Sequence, residues 1–206
     1  FKLPNVGINS NTVLFRNKAS QGNPDENPAD PEAGAFANKV LEYNPAPSQY
    51  MNTSYTAYEE GFTGIQVLAR ATELLQDHTT CLFTLGGFGG NITVGFDHTI
   101  PNVPGEYDFK IYGNAYYDMY GTLLDKPGGN SEPGIVLVSK DTNGNGLPDD
   151  EWYELAGSEY NSPATIRNYE ITYYRPTPAD GDVKWKDNQG KEGYIYRNTY
   201  HTQGSY

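Results

Sequence analysis

Turn-forming residues cut this chain into short pieces, and that punctuation constrains its fold more than any other feature. With 23 Gly and 14 Pro among 206 residues, few uninterrupted stretches reach the ~10–12 residues of an ordinary helix. Between the breaks stand short runs rich in β-branched and aromatic residues, at 92–97, 107–112, 135–139, 152–155, 169–174 and 194–197. Runs of this length and composition predict strands. Their crowding predicts a mainly β fold, an antiparallel β-sandwich of jelly-roll type, with one or two short helices packed on it. One helix is legible: Thr63 supplies a cap, and Ile65, Leu68, Thr72 and Leu75 recur at the spacing of one helical face.

The length suits one domain with a substantial core. Residues 1–35 hold a strand candidate at 13–15 and then a polar, Pro-rich run, so they are expected to form a leader or linker. Residues 36–206 are expected to form the β-sandwich binding domain. The net charge of -12 repels phosphate backbones and anionic membrane surfaces. Neither nucleic acid nor direct membrane insertion of this domain is expected, and no apolar run approaches the ~18 residues of a membrane helix. Cys81 is the single cysteine, which excludes an internal disulfide and leaves the compartment undecided.

The sharpest motif runs from Asp141 to Glu151, with oxygen-bearing side chains at alternate positions before Gly146. Calcium is a hard cation that takes about 6–8 oxygens, and alternate placement lets one loop wrap them around it. Asp141, Asn143, Asn145, the Leu147 carbonyl and Asp149 are expected ligands, with Asp150 or Glu151 closing the shell, and the ion's role is structural. The loop resembles the dockerin and EF-hand type but has Trp152 where a bidentate Glu stands in the EF-hand pattern. A plain Asn-Gly hairpin turn with solvated carboxylates is the competing possibility.

Other clusters point away from chemistry. The glycine-rich run at 85–91 precedes a strand, whereas a phosphate-cradling loop follows a strand and opens a helix. Close backbone packing, or approach of a ligand, is expected there instead. His78, His98 and His201 form no zinc spacing. Asp108, Asp118, Asp125 and Glu132 can act as glycosidase carboxylates only if two converge. The 18 tyrosines suit a flat polar ligand. Tyr116, Tyr117, Tyr120 and Trp185 offer rings for stacking, and Asn114 and Asn198 offer amides for hydrogen bonds, unless these rings line the core.

Beyond these, the run 39–50, Leu85-Gly-Gly-Phe-Gly-Gly, Phe109-Lys-Ile-Tyr-Gly-Asn-Ala, Ser131-Glu-Pro-Gly-Ile-Val and Trp152-Tyr-Glu-Leu-Ala-Gly-Ser-Glu-Tyr resemble a family of Bacteroidota cell-surface proteins. That resemblance covers roughly 36–206 and implies a lipoprotein module on the extracellular face of the outer membrane, or secreted. Some members resemble BtuH-type cobalamin-binding lipoproteins, which implies cobalamin capture in concert with an outer-membrane transporter. Phe88, Asn114, Glu132 and the calcium loop match family motifs, and His201 lies in a closing His-Thr-Gln segment that diverges afterwards. The expectation is thus a non-enzymatic surface module that captures cobalamin. A carbohydrate-binding or adhesion module is the alternative, and glycoside hydrolysis a third.

Overall fold

The computed structural model describes the backbone of residues 11–17 and residues 36–48, 50–51, 57–76, 82–100, 103–113, 115–117, 128–130 and 133–198. Ten strands and one helix lie among them: β1 (Asn11–Asn17), β2 (Lys39–Asn44), α1 (Gly64–Gln76), β3 (Asn91–Gly95), β4 (Tyr116–Tyr117), β5 (Gly129–Asn130), β6 (Gly134–Lys140), β7 (Trp152–Glu154), β8 (Ile171–Tyr174), β9 (Val183–Asp187) and β10 (Glu192–Ile195). The chain is therefore mainly β with one short helix. Its strands form a five-stranded sheet in the order β2-β3-β1-β6-β7, a three-stranded sheet β10-β9-β8 and a two-stranded ribbon β4-β5.

Every pairing is antiparallel except those of β1, which runs parallel to both β3 and β6. Parallel neighbours require a long crossover. That explains how a strand from the expected leader becomes the middle of the larger sheet: the chain leaves β1, returns through β2 and α1, and only then lays β3 alongside. The strand candidate at 13–15 lies within β1; residues 1–10 and 18–35 lie outside the described residues.

Thr63 caps α1 as its sequence predicts. Its Oγ1 accepts the Gln66 N–H at 3.4 Å, while Gln66 Oε1 accepts the Thr63 N–H at 2.9 Å. This reciprocal pair satisfies donors that the first helical turn leaves open. Of the expected face, Leu68, Thr72 and Leu75 lie at the packed side and Ile65 does not. Val67 and Ala71 are buried, with Leu68, Leu74 and Leu75 packed alongside, whereas Ile65 is 82% exposed. Ile65 sits in the first turn, ahead of the stretch that meets β2, where the Val40 N–H donates to Thr72 Oγ1 at 3.2 Å.

The larger core gathers Val40 and Tyr43 of β2, Ile92 and Val94 of β3, Val67 and Ala71 of α1, and Ala57 and Leu85. Val40 and Tyr43 are an odd number of residues apart, so a regular strand would turn one of them away. The register of β2 shifts between Val40 and Glu42, and this bulge turns both inward. A smaller core of Ala46, Ile171, Tyr173 and Val183 lies under the three-stranded sheet, with Tyr169, Trp185 and Ile195 against it.

The two cores meet at the glycine-rich run. Ala46 N–H donates to the Leu85 carbonyl at 2.9 Å, and the Tyr173 hydroxyl donates to the Phe88 carbonyl at 3.1 Å. A Cβ on Gly86 would lie 1.7 Å from the Ala46 oxygen, and one on Gly87 would lie 2.9 Å from the Tyr173 hydroxyl. Glycines are needed here because two backbones and a tyrosine tip touch, which is the close packing expected from the sequence.

One expected strand is absent. Residues 107–112 form no strand: Tyr107 is fully exposed, Tyr112 is 80% exposed, and of this segment Phe109 reaches the core. Conversely, β9 went unpredicted although Val183-Lys-Trp-Lys alternates as a half-buried strand should.

Candidate functional site

The loop between β6 and β7 is built around Asp141. One residue past β6, Asp141 continues the alternate buried positions of Leu137 and Ser139, on the face opposite the core-packed Val136 and Val138. From there its Oδ1 accepts the Gly144 N–H at 2.8 Å and its Oδ2 accepts the Gly146 N–H at 2.9 Å. Both glycines have φ near +70°, 72° and 74°, a region that side chains with a Cβ avoid. The carboxylate therefore coils the loop around itself.

The other predicted calcium ligands line the coil. Asn143 Oδ1 accepts the Asn145 N–H at 2.9 Å, and Asn145 Oδ1 accepts the Leu147 N–H at 2.7 Å. Asp149 meets both amides, with Asn145 Nδ2 at 2.8 Å from Oδ2 and Asn143 Nδ2 at 3.5 Å from Oδ1. The two acidic residues expected to close the shell are engaged elsewhere: Asp150 accepts from Thr142 Oγ1, and Glu151 accepts the Tyr153 hydroxyl at 2.6 Å. The Glu151 hydrogen bond and charge raise the Tyr153 pKa.

The donor set consists of hard oxygens, which fits calcium chemistry. Among the described residues no group of three or more His, Cys, Asp or Glu is gathered to hold a metal. A cation here would thus lean on the amide oxygens of Asn143 and Asn145 and on backbone carbonyls, besides Asp141 and Asp149.

Of the predicted ligand residues, Asn114, Tyr120, Glu132 and His201 lie outside the described residues. Tyr116 and Tyr117 form β4, and Tyr117 is 86% exposed. Phe88 sets its ring edge-on to Tyr169 at 5.5 Å. Trp185 pairs with Tyr173 and Gly193 across the sheet and packs against the smaller core. A Cβ on Gly193 would lie 2.8 Å from the Trp185 ring, so the indole covers that backbone. Asn198 is exposed beyond β10.

A different aromatic surface exists on the outer face of the three-stranded sheet. Tyr174, Lys184 and Tyr194 are directly paired across β8, β9 and β10 and so form one row on one face. Tyr196 follows two residues after Tyr194, and their rings stack with centroids 6.2 Å apart and planes 27° apart. Tyr174, Tyr194 and Tyr196 are 46%, 51% and 68% exposed. Lys184 reaches Glu192 at 3.3 Å, and this contact raises its pKa. Beyond the strand end, the Arg197 N–H donates to Asp182 Oδ1 at 2.8 Å and its guanidinium meets Asp180 at 2.7 Å, which pins the segment carrying Tyr196. The sequence signal for this face is the alternation of Tyr194 and Tyr196, the first of them opposite Lys184 of β9.

No helix among the described residues is long and apolar enough to cross a membrane. The chain matches no family model and no curated protein.

Proposed function

We propose that this chain is a non-enzymatic, extracellular ligand-binding module that recognises glycans, with its β6–β7 loop stiffened by calcium. The observation that carries this is the exposed stack of Tyr194 and Tyr196 beside the Tyr174–Lys184 row. Tyrosine offers a broad apolar face for the C–H side of a sugar ring and a hydroxyl for its rim, at small entropic cost because two χ angles orient it. The neighbouring Lys184–Glu192 pair supplies a donor and an acceptor for sugar hydroxyls. A net charge of -12 favours neutral over anionic chains. An open, flat face suits a glycan, whereas a macrocycle such as cobalamin calls for a concave site.

The calcium part of this proposal predicts modest affinity. Two carboxylates with amide and carbonyl oxygens make a weakly charged site, which belongs with extracellular modules whose Kd is about 10⁻⁴–10⁻³ M. Such a site fills outside cells.

Titration calorimetry of the calcium-loaded protein with a panel of neutral and acidic glycans, and with cyanocobalamin, tests the function. Saturable binding of a neutral glycan that is insensitive to salt supports the proposal. Binding of cobalamin alone would replace it with vitamin capture, and silence across the panel would remove the glycan assignment.

A further inference from the structure

Asn143-Gly144 and Asn145-Gly146 are two adjacent Asn-Gly steps. In such a step the glycine nitrogen, once deprotonated, attacks the asparagine Cγ. A new N–C bond forms, the Cγ–Nδ2 bond breaks and ammonia leaves. Water then opens the succinimide to aspartate or isoaspartate. Glycine permits this because it has no Cβ to hinder ring closure, and both glycines here lie in a loop with open space around them. On sequence alone the loop should age quickly.

The fold opposes that reaction at both the attacking nitrogens and the side chains they attack. Both attacking nitrogens already donate their protons to one carboxylate, Gly144 to Asp141 Oδ1 at 2.8 Å and Gly146 to Oδ2 at 2.9 Å. A proton held by an anion is harder to remove, and the held N–H cannot swing toward the Cγ that precedes it. The targets are held too. Asn143 Oδ1 accepts the Asn145 N–H and Asn145 Oδ1 accepts the Leu147 N–H, so each side-chain carbonyl is committed to the nitrogen two residues on. Asp141 itself is 4% exposed, so the carboxylate that accepts both bonds is held out of water.

We propose that Asn143 and Asn145 are latent deamidation sites held shut by Asp141, one buried carboxylate guarding two steps at once. Opening either step adds a negative charge beside Asp149, and an isoaspartate lengthens the backbone by one methylene inside the β6–β7 turn. The loop is thus a chemical ageing point whose rate is set by a single side chain.

The test compares three samples in chelator at mildly alkaline pH: the intact protein, its Asp141→Asn variant, and a synthetic peptide spanning 138–150. Peptide mapping by mass spectrometry reads deamidation at each asparagine. The intact protein should react at least about tenfold more slowly than the peptide, the factor that one hydrogen bond to a charged group corresponds to. Asp141→Asn, which keeps the shape but loses one acceptor, should speed reaction at Asn143 or Asn145 while circular dichroism stays native. Should that variant not fold, amide exchange in the intact protein decides: slow exchange at Gly144 and Gly146 supports the guard. Deamidation of the intact protein at the peptide's rate, a folded variant with unchanged rates, or fast exchange at both glycines would overturn it.

Discussion

The hydroxyl of Tyr169 donates to Asp187 Oδ2 at 3.0 Å, and this bond ties the entrance of β8 to the turn between β9 and β10. Asp187 is 8% exposed, and its other oxygen accepts the N–H groups of Gln189 and Lys191 at 3.0 and 2.7 Å. Burial works against its charge, but the Lys191 N–H, the Tyr169 hydroxyl and the Gln189 N–H outweigh it and lower the pKa. Tyr169 is pushed the other way, to about 12, by burial first and then by Asp187.

These shifts set a pH window with a definite sign. Between pH 10 and about 12 the unfolded chain ionises Tyr169 while the folded chain keeps the proton, so stability should fall across that interval. Asp187 acts at the other end: its contribution is present above its ordinary carboxylate pKa of 3.8 and is lost as pH falls below it. Tyr169→Phe should lower the melting temperature at neutral pH by about 2–4 °C. It should also flatten the alkaline decline, as thermal melts across pH will read.

Removing calcium should lower the melting temperature of the intact protein, because an ion bound to the folded state alone stabilises by mass action, about 2.7 kcal/mol at a hundredfold excess over Kd. Asp141→Ala should lower the melting temperature in calcium and abolish the response to chelator. If chelator never shifts the melt of the intact protein, no calcium is held in the loop.

Tyr194→Ala combined with Tyr196→Ala should weaken glycan binding at least tenfold, since base or sugar stacking on aromatic rings contributes on the order of 1–3 kcal/mol per ring. The melting temperature should move by no more than about 2 °C, because both rings are half or more exposed. Tyr117→Ala, at 86% exposure, should leave stability unchanged as well. A large loss of stability in the double variant would make those rings part of the fold instead.

Glycine substitutions separate close packing from simple backbone freedom. Gly86→Ala combines a φ of +77° with a Cβ 1.7 Å from the Ala46 oxygen, and should lower the melting temperature by roughly 10 °C or prevent folding. Gly190→Ala has a φ of +82° but nothing within 4 Å, and should cost about 1 kcal/mol. In the core, Val183→Ala removes a side chain that is 2% exposed and should cost roughly 2 kcal/mol. Chemical denaturation of the three variants distinguishes these costs.

What the sequence determined by itself is local. Turn residues, the Thr63 cap and the short alternating runs specify a mainly β chain with one helix, because φ preferences and capping act within a few residues of where they are written. The Asp141 loop is legible for the same reason: its ring of hydrogen bonds closes within nine residues, from Asp141 to Asp149. The tertiary structure decided everything that needs a distant partner. It buried Val67 and Ala71 and left Ile65 exposed, gave 107–112 no strand, and drew β1 between two strands reached through a crossover. It also lined up Tyr174, Lys184 and Tyr194 from three strands, because a cross-strand row exists only once the register is set by contacts between residues far apart in the chain.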